Sequence, residues 1–213
     1  MLDRRAFVIG APLVLAGCGA RSVWAPEEAV DSVRFRAPGP PSVTLYTCLN
    51  NDTRSGAHTG LLINGTERVL FDPAGSFVYP GMVERNDLLF GVTDDFEATY
   101  TAFQASEGYH LIKLSCDLTL QDAMLAHAAA AREGPVARTQ CTRAAAHVLQ
   151  AVPRFAHLRA SLFPDNLMRQ FAALPGVTAE FVYLDDDQWR ASAEEAYAQD
   201  VLARMQATDA AAA

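Results

Sequence analysis

Residues 57–72 contain two short apolar, β-rich runs, AHTGLLI and ERVLFD, with Asn64-Gly65 between them. This stretch constrains the fold more than any other. A tight type I′ turn needs positive φ at both central positions, which Asn and Gly tolerate, so an antiparallel hairpin turning at Asn64-Gly65 is expected. In that register His58 stands opposite about residue 71, and Asp72 lies one step off at the same strand end.

Strands and helices alternate around the hairpin. Ser42–Cys48 (SVTLYTC) reads as a preceding strand, with Tyr109–Ser115 and Thr178–Leu184 as later ones. Helices are expected over Asp94–Ser106, over Leu120–Arg132 behind an N-cap at Thr119, over 139–151 and over 165–174. A last helix opens at Asp185, Asp186 and Asp187 and runs to about Met205. Acids in a first helical turn suit the helix dipole, so this run reads as capping in preference to metal binding, and no metal or cofactor set is expected. Residues 73–92, with Pro73, Gly75, Pro80 and Gly81, read as loop. The pattern is α+β: an antiparallel sheet with its hairpin packed against helices.

Composition excludes some functions. The 213 residues are 50% apolar, enough for one core. Acids outnumber bases 25 to 17 and no Lys/Arg cluster occurs, which argues against nucleic acid as a partner. After the N-terminus no apolar run is long enough to cross a membrane.

The N-terminus has the make-up of an export signal. Arg4 and Arg5 precede a short apolar stretch, Ala6–Ala16, which is too short to span a bilayer. It ends in Leu15-Ala16-Gly17-Cys18, which resembles the lipobox of bacterial lipoproteins. The resemblance implies cleavage after residue 17 and lipid on Cys18. The protein would then be held to a membrane of the bacterial cell envelope by its acyl chains, facing the periplasm. Residues 18–41, with Pro26, Pro38, Pro40 and Pro41, read as a tether, and 42–213 as the folded domain.

Three cysteines remain. Cys48 and Cys116 lie in or beside strands, where a thiol is usually a small apolar filler. Cys141 sits in the first turn of an expected helix, where unpaired backbone N–H groups and the dipole favour thiolate and could hold an oxyanion. A thiolate nucleophile needs a base, and the base needs an orienting group. Of the five histidines, His58 has small neighbours (Ser55-Gly56-Ala57 before, Thr59-Gly60 after) and an acid, Asp72, close across the hairpin.

His58-Thr59-Gly60-Leu61-Leu62-Ile63, then Phe71-Asp72-Pro73-Ala74-Gly75-Ser76, then Cys141 opening a helix resembles the circularly permuted NlpC-type, papain-like proteins. In these the histidine strand precedes the cysteine. The resemblance covers roughly residues 42–155 and implies a permuted papain-like fold. It also implies a catalytic set of Cys141 as nucleophile, His58 as base and Asp72 as orienter. Cys141 is followed by Thr142-Arg143, a departure from the family pattern that leaves the substrate open. The expected activity is a periplasmic cysteine hydrolase acting on peptidoglycan peptides, or an acyltransferase acting on lipid acyl groups. Two other readings stand beside it. One is a non-catalytic envelope lipoprotein that binds a wall fragment or a protein; the other is a Cys141 paired with Cys48 or Cys116.

Overall fold

A computed structural model describes residues 22–183. The expected signal segment, Cys18 and the helix from Asp185 lie outside the described residues. Among the described residues the chain is α+β, with five helices and a seven-stranded antiparallel open sheet.

In chain order the elements are α1 (Glu27–Val33), β1 (Ser42–Asn50), β2 (Gly56–Asn64), β3 (Arg68–Phe71), β4 (Val83–Arg85), β5 (Leu88–Phe90) and α2 (Asp94–Gln104). There follow β6 (Tyr109–Asp117), α3 (Leu120–Arg132), α4 (Cys141–Gln150), α5 (Pro164–Ala172) and β7 (Thr178–Val182). The strand order is β4-β5-β3-β2-β1-β6-β7.

Side chains alternate across a strand, so the long β1 feeds two cores. Val43 and Leu45 join Leu61, Ile63, Val69 and Phe71 beneath α3, α4 and α5. Tyr46 and Cys48 join Leu62, Leu70 and Leu111 beneath Phe96 and Tyr100 of α2. The sheet is therefore covered on both faces near its centre. Ala144, Ala145 and Ala146 are buried, and their small side chains let α4 lie close to the sheet.

Local signals decided where helices begin. Thr119 Oγ1 accepts from the Asp122 N–H at 3.1 Å, and Thr93 Oγ1 caps α2 through the Phe96 N–H at 3.2 Å. Helix α3 spans the expected residues, and α4 begins at Cys141.

The hairpin forms, but with a different turn. Asn64 pairs with Arg68 and Leu61 with Phe71, so Gly65, Thr66 and Glu67 make a three-residue connection. Neither Asn64 nor Gly65 has positive φ. Gly65 serves a different purpose: a Cβ there would come within 3.2 Å of the Ala123 Cβ, so its bareness lets α3 approach the turn.

Two further stretches differ from expectation. The supposed loop 73–92 contains β4 and β5, joined by a two-residue turn at Asn86-Asp87 with Asn86 at φ 46°. Strands of three residues show too little alternation to be read from sequence. The supposed tether is partly built into the domain: α1 lies within it, Val30 is buried, and the Phe35 carbonyl accepts from the Arg68 N–H at 2.6 Å.

Candidate active site

Strand β3 pairs only with Leu61–Asn64 of β2, so the first half of β2 has no partner strand on that side. The candidate site forms at this open edge. His58 and Thr59 lie on this part of β2, paired with β1 alone, Asp72 follows the last residue of β3, and Cys141 opens α4.

The true register explains how the acid reaches the base. Continuing the Leu61–Phe71 pairing by one residue sets Gly60 opposite Asp72. His58, two residues back, is then a diagonal neighbour on the same face. His58 Nε2 and Asp72 Oδ1 are 2.7 Å apart. The register expected from a two-residue turn would have put His58 across from an odd-numbered residue instead. The three-residue connection restores the shared face.

With Nε2 engaged by Asp72, Nδ1 is the ring nitrogen left for the thiol, and His58 and Cys141 each favour the charged form of the other. The Thr59 backbone also favours charge on the sulfur. Cys141 Sγ lies 3.8 Å from Thr142 Oγ1, and Thr142 Oγ1 is 3.0 Å from Thr59 Oγ1, with both threonines buried. This bridge fastens the first turn of α4 to the strand that carries His58. All three residues expected from sequence are thus brought together.

The electrostatics follow from these contacts. Burial by itself would lower the His58 pKa. The hydrogen bonds to Asp72 and Cys141 and their negative charges outweigh it, and the ring is pushed up to about 10. Burial by itself would raise the Cys141 pKa, but the hydrogen bond and charge of His58 pull it below the ordinary thiol value. Both directions favour an imidazolium–thiolate pair. Cys48 and Cys116 go the other way: burial pushes Cys48 up to about 11 and raises Cys116. Cys48, Cys116 and Cys141, the cysteines among the described residues, are free. Cys48 faces the α2 core and Cys116 the α4 core, so the sheet lies between them.

Two residues escaped the sequence reading. Tyr100 of α2 is fully buried, and its hydroxyl donates to Asp72 Oδ1 at 2.8 Å, the oxygen that also meets His58. Gly60 leaves the room, since a Cβ there would stand 2.6 Å from the Tyr100 Oη. A glycine inside a strand marks a close approach, but it does not name what approaches.

The second is Asp87, in the β4–β5 turn. Its carboxylate accepts from the Val136 N–H at 2.6 Å and from the Ala74 backbone, and its carbonyl accepts from the Asp72 N–H at 2.8 Å. It therefore ties the loop that carries Asp72 to the loop that leads to Cys141. Each of those loops holds a non-glycine residue in left-handed conformation, Ala74 at φ 57° and Thr139 at φ 70°. Such strain persists where surrounding contacts over-determine the backbone. A side chain at Gly75 would collide with the Asp72 carboxylate.

Among the described residues no group of three or more His, Cys, Asp or Glu side chains is placed to hold a metal ion. No protein-family model, curated protein or solved structure matches the chain.

Proposed function

We propose that the protein is a cysteine hydrolase or acyltransferase of permuted papain-like fold, anchored in the bacterial envelope by lipid on Cys18. The observation that carries the catalytic reading is the contact chain Asp72–His58–Cys141, closed by the 2.7 Å His58–Asp72 bond at the open edge of β2.

In this reading the Cys141 thiolate attacks the carbonyl carbon of an amide, ester or thioester. The carbonyl electrons move to oxygen, near the N–H groups of the first turn of α4. Collapse of that intermediate breaks the bond to the leaving group, which takes the proton from the His58 imidazolium. Water or another acceptor then gives its proton to His58 and attacks the thioester, releasing the acyl group and restoring the thiolate. Asp72 holds the ring in one tautomer and offsets its charge. Peptide amides of peptidoglycan are the nearest substrates in the periplasm; lipid acyl groups are the competing class.

The test is alkylation of the native protein by iodoacetamide, read by peptide mass. Cys141 should react with a midpoint below pH 9, because its pKa is lowered, while Cys48 and Cys116 react only after unfolding. The imidazolium partner should persist until the pH rises through about 10. His58→Ala should return Cys141 to an ordinary thiol, and Asp72→Asn should have a smaller effect. A Cys141 that labels only in unfolded protein would leave the binding-protein reading in place.

A further inference from the structure

The N-terminal stretch does not hang free of the domain. Ser22 Oγ donates to Asn86 Oδ1 at 2.9 Å, the Asn86 N–H to the Val23 carbonyl at 2.8 Å, and the Ala25 N–H to the Glu84 carbonyl at 2.9 Å. Trp24 makes an isolated bridge to Arg85, whose guanidinium lies 4.9 Å from the centre of the indole ring. Arg85 also donates to the Ala25 carbonyl and pairs with Glu27 at 2.9 Å. Residues 22–25 are thus pinned along the edge of β4. Only residues 19–21 separate Ser22 from Cys18, so acyl chains on Cys18 would lie at most about 14 Å of extended chain from Ser22.

Apolar side chains crowd the same side of the molecule. Trp24 is 63% exposed. It lines a cleft of about 160 Å³ together with His127 and Ala131 of α3. Leu120, Met124, His127 and Ala131 fall at i, i+4, i+7 and i+11, on one stripe of that helix. Leu120 and Met124, further along the stripe, are 44% and 51% exposed. A monomer gains nothing by leaving these in water. Trp and neighbouring Arg side chains suit the bilayer interface, where one part is apolar and the other wet.

We infer that the face formed by Val23, Trp24 and the Leu120–Met124 stripe of α3 lies against the lipid bilayer, giving the domain one fixed orientation on the membrane. The inference rests on the anchoring part of the proposed function. It requires no catalytic activity.

The experiment uses the full lipidated chain in vesicles of phosphatidylethanolamine and phosphatidylglycerol with brominated acyl chains. The chain has two tryptophans, so Trp189→Phe leaves Trp24 as sole reporter. Its emission should shift to the blue and be largely lost to bromine quenching, relative to the same chain carrying Cys18→Ser. Two further single-tryptophan chains, with Trp24→Phe and Trp189→Phe, separate a seated face from a loose anchor. Met124→Trp should be quenched. Phe103→Trp, on α2 across the sheet and 43% exposed in the native residue, should not. Equal quenching at 124 and 103 would mean a tumbling domain and overturn the inference, as would an unquenched Trp24 on a chain whose mass includes the acyl groups. A chain lacking that mass overturns the anchoring reading itself, and the membrane face with it.

Discussion

At the scale of single residues, the candidate site depends on groups that never meet the sulfur. Tyr100 donates to the carboxylate oxygen that orients His58, at 2.8 Å, from a fully buried ring held edge-on by Tyr46 at 5.4 Å and Phe77 at 5.2 Å. Tyr100→Phe keeps the ring and removes the hydroxyl. Asp72 then loses a donor in a site too dry for water to replace it readily, and a hydrogen bond to a charged group is worth about 1.5–3 kcal/mol. The expected outcome is a folded protein that is less stable by about 2 kcal/mol in urea. The same change should slow Cys141 alkylation at pH 7, because Asp72 then holds the His58 ring less firmly against the sulfur. A purely structural tyrosine would cost stability and leave the pH midpoint of alkylation in place.

At the scale of elements, the meeting of β2, α2 and α4 rests on two small contacts. One is the Thr59–Thr142 bridge, which fixes α4 on β2. The other is the bare Cα of Gly60, across from Asp72 and beneath the Tyr100 hydroxyl. Gly60→Ala puts a methyl 2.6 Å from that oxygen, and a rigid ring cannot step aside without moving α2. The expected cost is about 1–3 kcal/mol, as for other overpacked core sites, with loss of fast Cys141 alkylation. Combined with Tyr100→Phe, the penalty should be less than the two single costs added, because the clashing atom is gone. Additive costs in that double-mutant cycle would show that Gly60 is needed for something other than Tyr100.

At the scale of the whole molecule, the folded unit begins earlier than its composition suggests. The sequence marks Ser42 as the start of ordered structure, yet α1 covers the sheet side beside β4 and buries Val30. Gly91, at φ 71°, lets the chain pass against Val33. Arg68 links this segment to the far face: it lies 5.1 Å from the Phe35 ring centre, donates to the Val92 carbonyl at 2.6 Å, and pairs with Asp94 at 2.7 Å. A chain truncated to start at Ser42 should lose on the order of 3 kcal/mol, from Val30 burial and the Phe35–Arg68 hydrogen bond. Thermal unfolding of the two lengths checks this. Equal melting temperatures would mean the segment is a passive tether after all.

What the sequence determined alone is local. The strand-forming runs, the cap at Thr119, the hairpin and the helix that opens on Cys141 all depend on hydrogen bonds closed within a few residues. Side-chain chemistry at those positions therefore discloses them. The same locality made His58, Asp72 and Cys141 legible as candidates, one at a strand start, one at a strand end and one at a helix start. Tertiary structure decided the rest. The turn closes over three residues, Gly65 to Glu67, against α3, and the register that follows puts Asp72 on the face of His58. Tyr100 and Asp87 entered the site because α2 and the β4–β5 turn pack there, and their partners lie 28 and 49 positions away along the chain. No periodicity or turn propensity encodes such contacts, since their free energy exists only once distant elements share a core.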